Sequence, residues 1–182
     1  SIVFFVKPEQ ALIWRGVMAT NALNQLINDA DWGEIDYFIV DLPPGTGDEP
    51  IAILKSIPDL DGVIIVTTPQ EVSTLVCSKA INASLTLGAK VIGLIENMSV
   101  YNCRCCDDAV HLFGKDKGKQ LARMMEIPFL GSIPIDPLFS EAADAGVPIV
   151  NLHPESITAK AFVEISETLN DQMPPKEVPD AP

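Results

Sequence analysis

"DYFIVDLPPGTGDE", residues Asp36–Glu49, decides how this chain is read. Asp36 to Asp41 is an apolar run flanked by acids. It reads as a strand apolar on both faces, the pattern of a parallel sheet covered by helices on each side. Asp41 ends that run, and a Pro-Pro-Gly-Thr-Gly-Asp loop follows. In open parallel sheets, ligands collect at the carboxyl ends of strands. A carboxylate placed there can hold Mg²⁺ through water, and a glycine loop can bring backbone amides to a γ-phosphate. On this reading Asp41 serves the metal, and Gly45, Thr46 and Asp48 form the phosphate-sensing loop. The alternative is a strand and tight turn with Asp41 as a cap. Asp48 serves equally well as the cap of a helix that follows.

Working outward, four more apolar runs have the same character: Ser1 to Val6, Gly62 to Thr68, Lys90 to Asn97 and Pro128 to Pro134. Between them lie helical stretches. Val17 to Asp29 is apolar at Val17, Leu23, Leu26 and Ile27. Glu71 to Leu87 stops at Gly88, and Lys115 to Met125 follows the cysteine-bearing segment. Asp136 to Ala145 stops at Gly146, and a last helix starts at Pro154 and runs to about Leu169. Strand and helix in alternation predict an α/β fold with a doubly wound, mostly parallel sheet. Residues 1–170 form one expected domain. Residues 171–182, with four prolines and no apolar period, form an expected disordered tail.

The 182 residues carry 12 Lys plus Arg against 25 Asp plus Glu, a net charge of −13. That balance argues against nucleic acid and against anionic membrane surfaces, because both need a basic face. No apolar run approaches the roughly 20 residues of a membrane span. Four cysteines are too few for a disulfide scaffold, so a reducing, cytoplasmic setting is expected. The chain opens on Ser1 inside an apolar run, which reads as a fragment.

Three of the four cysteines, Cys103, Cys105 and Cys106, crowd one short polar stretch. Cys103 and Cys106 make a C-x-x-C whose thiolates can share one metal centre. One such pair supplies half of a four-ligand set, and a symmetric dimer would supply the rest. A redox dithiol or incidental loop cysteines are the alternatives, and Cys105 is a reserve ligand. Cys77 reads as a buried structural thiol. Asn97 ends its strand at the ligand edge, where an amide can both donate and accept, as adenine recognition requires. Asp136 reads as a helix cap, and Arg15 as a phosphate or partner contact or a solvated side chain. His111 and His153 are isolated. No G-x-x-x-x-G-K-[ST] loop is present. "GKDKGKQ", Gly114 to Gln120, has the wrong glycine spacing and follows no strand.

Together these stretches resemble a known family, the Mrp/ApbC-type P-loop ATPases, which look like MinD and carry iron–sulfur clusters. "IWRG" (Ile13–Gly16), "DWGEIDYFIVDLPPGTGDE", "TTPQEVS", "GLIENMS", the C-x-x-C, "FG" and "LGSIPIDP" stand in that family's order. The resemblance implies a P-loop NTPase fold without its first strand and Walker A loop, so the chain looks like the C-terminal two thirds and is expected to be impaired as an ATPase. It implies ATP and Mg²⁺ at a homodimer interface, with Asn97 reading the base and Pro134 and Asp136 nearby. It implies a labile [4Fe–4S] cluster bridged by Cys103 and Cys106 of two subunits, and apo iron–sulfur proteins as recipients. The sequence departs from the usual C-P-x-C in its Arg104 and extra Cys105. An ATP-dependent cluster carrier is the expected function. A MinD-type partitioning ATPase would call for a basic amphipathic C-terminal helix, whereas this tail is acidic and proline-rich. A non-catalytic metal-binding module is the remaining alternative.

Overall fold

The computed structural model describes residues 16–43, 45, 47–57, 59–103, 105–106 and 108–173. The expected strand at Ser1 to Val6, most of "IWRG", Arg15, Thr46, Arg104 and the tail from Pro174 lie outside this set. The described residues fall into two compact units, one up to residue 57 and one from Asp59.

In the smaller unit, α1 (Gly16–Asn28) packs on α2 (Asp48–Ser56), and the Ser56 hydroxyl donates to Asn24 Oδ1 at 2.8 Å. Among its described residues, Ile53 is buried. The expected strand at Asp36 to Asp41 is not seen: among the described residues this segment pairs with no strand, and Ile39 is 87% exposed. A strand exists only through its hydrogen-bonded neighbour, and apolar character does not provide one. Phe38 instead meets the Trp32 ring edge-on, with centroids 4.7 Å apart.

The larger unit is built on β2 (Val91–Asn102), flanked by parallel β1 (Val63–Thr67) and parallel β4 (Phe129–Ile135). Val91 to Ile95 are all buried, as a strand covered on both faces requires. Successive side chains enter different cores. Leu94 joins Ile65, Ile81 of α3 (Glu71–Thr86) and Leu121 of α4 (Lys117–Met124). Ile95 joins Leu130, Ile133 and Ile165 of α7 (Ile157–Gln172). A third cluster, Ala142, Ile149 and Ala159, joins α5 (Pro137–Asp144) and the short α6 (Ile149–Leu152) to α7. This is the expected α/β fold with a sheet that is mostly parallel.

Several boundaries differ from expectation, each for a local reason. The last helix begins at Ile157 because the Ser156 side chain caps it, accepting from the Ala159 amide at 3.0 Å. It runs to Gln172, so Asp171 and Gln172 are helical and not part of a tail. Cys77 is half-buried, its thiol bonded to the Val66 carbonyl at 3.4 Å, and so is less enclosed than expected.

The largest departure is in β2. It does not end at Asn97 but continues to Asn102. Asn97 pairs with Ile133 and Tyr101 with Ile135, so Met98, Ser99 and Val100 stand opposite Pro134 alone. Met98 takes a φ of +56° in this bulge, and Ser99 Oγ donates to the Ile133 carbonyl at 3.1 Å. Beyond the bulge, Tyr101 and Asn102 pair antiparallel with β3 (Ala109–Val110).

One charged side chain lies inside this frame. Glu96 of β2 is 2% exposed, and its Oε2 accepts the Gly118 amide of α4 at 2.6 Å. Asp116 precedes α4 with a left-handed φ of +56° and provides no side-chain cap, so Glu96 satisfies that helix end instead. Burial raises the Glu96 pKa above the ordinary glutamate value, and Asp116 adds to this. The Gly118 bond and His111 oppose it.

Two predictions follow from this packing. A Cβ on Gly93 would sit 2.6 Å from Leu130 Cγ and 2.9 Å from the Pro128 carbonyl. Gly93→Ala is therefore expected to cost about 1–3 kcal/mol, read from urea unfolding. Glu96 retains a proton in the folded state at pH values where the unfolded chain has released it. Its contribution to stability therefore falls as pH rises from the ordinary glutamate value through the raised one, and is level above that. Glu96→Gln should remove this dependence. Melting temperatures of the two proteins across that window are expected to diverge, with Glu96→Gln gaining on the parent as pH rises.

Candidate functional site

β2 and β3 form the legs of a hairpin whose tip is the cysteine loop. The Cys103 amide donates to the Asp108 carbonyl at 3.0 Å and closes it. Cys103 is half-buried, and Cys105 and Cys106 are exposed. The Cys103 thiol is held below its usual pKa, chiefly by the neighbouring Cys105 amide and then by the Cys106 thiol and amide, with burial opposing them. A lowered thiol pKa favours the thiolate, which is the form that binds soft metals. Among the described residues, no three His, Cys, Asp or Glu side chains close around one metal position.

The expected nucleotide-side residues fall into two groups. In the smaller unit, Asp41 is exposed at the end of the extended segment. Gly45 follows with φ +101°, a conformation that glycine adopts without strain. Gly47 stands before α2 and provides no side-chain cap. Asp48 opens that helix, with its side chain outside the described set. The loop chemistry fits a phosphate. In the larger unit, Asn97 pairs with Ile133 of β4 just before the bulge in β2, and Pro134 and Asp136 follow at the carboxyl end of β4. Asn97 Oδ1 accepts the Met98 amide at 2.9 Å, so its NH₂ end is the one a base would meet. Asp136 caps α5, accepting from Leu138 at 3.1 Å, as one of its two readings expected.

Sequence reasoning missed Glu96, Ser99 and the role of His111. His111 Nδ1 donates to the Ser99 carbonyl at 3.1 Å and ties the return of the hairpin to β2. The available signal was an acid set inside an apolar strand, "GLIENMS", which reads more easily as the strand's end.

Comparison with known proteins is consistent with this geometry. A family model described as ParA, NUBPL iron-transfer P-loop NTPase, matches residues 1–170. An iron–sulfur cluster carrier protein of Pyrococcus furiosus is 44% identical over 173 residues, covering 95% of this chain and 58% of that one. One from Saccharolobus solfataricus is 42% identical, covering 88% and 54%. The iron–sulfur cluster transfer protein NUBPL of Mus musculus is 37% identical, covering 91% and 52%. The chain thus spans about half the length of the curated relatives it matches. Among solved structures, a nucleotide-binding protein of Archaeoglobus fulgidus in complex with ADP has a TM-score of 0.63 at 36% identity, covering 71% of this chain and 53% of that one. The cell division ATPase MinD of Pyrococcus furiosus, 23% identical, shares the fold with a TM-score of 0.62, covering 88% and 63%. Among the described residues, no helix is long and apolar enough to cross a membrane. With the match running over both units and 170 of its residues, the chain belongs to the NUBPL iron-transfer P-loop NTPase family.

Proposed function

We propose that this chain is part of an ATP-dependent carrier that holds a labile [4Fe–4S] cluster between two copies of itself and hands it to apo iron–sulfur proteins. The observation that carries the reading is the tip of the β2–β3 hairpin, which presents three free cysteines, Cys103 half-buried and Cys105 and Cys106 exposed. Cys103 and Cys106 ligate the cluster. Two ligands per chain make a homodimer the smallest unit with a full set. Exposure and a shared ligand set favour release to a recipient, as a carrier needs.

On the nucleotide side, Asp41 serves Mg²⁺, and Gly45, Thr46 and the α2 amides face the phosphates. Asp48 orders this loop, and Arg15 meets a phosphate or the partner subunit. Asn97 reads the base beside Pro134 and Asp136. ATP turnover couples dimer shape to cluster release on this reading. Residues 1–170 act as one domain on this reading, and free thiols suit a reducing, cytoplasmic setting. The likeness to MinD concerns the fold alone and does not favour a partitioning role.

Anaerobic reconstitution with iron and sulfide tests the reading. The parent is expected to take up one cluster per pair of chains, seen as broad visible absorption and a dimeric mass. Cys103→Ala and Cys106→Ala should each lose it, whereas Cys105→Ala should retain it. A parent that stays monomeric without iron would overturn the carrier reading.

A further inference from the structure

The thiol hairpin is weakly held by its own ladder. β3 is two residues long, and both are exposed. A ladder that short does not hold a hairpin in water, so the loop depends on anchors outside it. β2 supplies two such anchors. The Ser99 carbonyl accepts from His111, the first residue after β3, and Glu96 Oε2 accepts the Gly118 amide. The return leg thus leaves the loop at Val110 and re-enters the core at Gly118, with both bonds made to one short stretch of β2.

The second anchor is closely fitted. Among the described residues, Glu96 is the buried carboxylate. A Cβ on Gly118 would lie 2.9 Å from Glu96 Oε2, 3.0 Å from Glu96 Cβ and 3.0 Å from Thr67 Cγ2. Glycine at this position lets the helix end approach the carboxylate.

We propose that Glu96 is a positioning residue for the thiol loop: its bond to the Gly118 amide fixes where the returning leg meets the core, and so holds Cys103 and Cys106 at the spacing a metal needs. The inference rests on the reading of these thiols as ligands. A neutral acceptor of the same shape serves as well as the carboxylate, because the bond needs an oxygen and burial disfavours the charge. Glu96→Gln is therefore the conservative variant. Glu96→Ala removes the acceptor, and Gly118→Ala disturbs the same contact from the helix side.

The full chain, kept anaerobic, is titrated with Co²⁺ alone, and the thiolate-to-cobalt charge-transfer band is followed. Amide exchange of residues 101–110 is measured on the metal-free protein. Glu96→Ala and Gly118→Ala are expected to weaken Co²⁺ binding about tenfold or more, as the loss of a supporting contact around a metal site does. Both should speed exchange of the Cys103 amide. Glu96→Gln should stay near the parent in both measurements, a rescue that general loss of packing would not give. Gly118→Ala carries the test if Glu96→Ala does not fold. Unchanged hairpin exchange in the alanine variants, or faster exchange with unaltered Co²⁺ affinity, overturns the proposal. A parent without a Cys103-dependent band overturns the ligand reading and the proposal with it. Exchange in the metal-free chain separates that result from failure of the anchor itself.

Discussion

β2 must be apolar on both faces for most of its length, because parallel neighbours flank it and helices cover it above and below. Val91 to Ile95 meet that demand, each fully buried apolar side chain contributing about 1.5–3 kcal/mol. Gly93 gives its side-chain space to Leu130 of the neighbouring strand. The strand becomes polar where the sheet's carboxyl edge begins, at Glu96, Asn97 and Ser99. These three residues do not share a task. Glu96 turns to α4, Asn97 bonds its own following amide, and Ser99 pins the bulge to β4.

The bulge at Met98 to Val100 lets one strand serve two different neighbourhoods. Before it, β2 is a parallel core strand. After it, the same backbone is the outgoing leg of an antiparallel hairpin. A bulge alters local direction and ends regular pairing without ending the strand. The proposed base contact at Asn97 and the proposed cluster ligand at Cys103 are therefore six residues apart, one within β2 and the other just past its end.

Much of this was legible from residue patterns. The apolar runs at Gly62, Lys90 and Pro128 became the three parallel strands, because continuous burial leaves a continuous apolar signature. Asp136 was readable as a cap, since its carboxylate acts on an amide two residues away. What escaped depends on distant partners. Tyr37 to Val40 has the composition of a strand, but pairing is a tertiary event, and no strand among the described residues pairs with it. Met98 to Asn102 has little strand signature, yet it continues β2 because Ile135 and β3 pair with it. Glu96 escaped because an acid in an apolar run normally marks a surface. Its burial depends on an amide 22 residues further along the chain.

The loop from Cys103 to Asp108 is closed by the Cys103–Asp108 backbone bond, and none of its described side chains joins the three hydrophobic clusters. Its composition is thus decoupled from the folding of the domain. Residues can be exchanged at the tip without a penalty in the interior, as long as the two legs remain in place. The extra thiol at position 105, where the related pattern has none, is the kind of change such a detachable tip tolerates. The proposed ligand chemistry at this tip can then change without altering the scaffold that presents it.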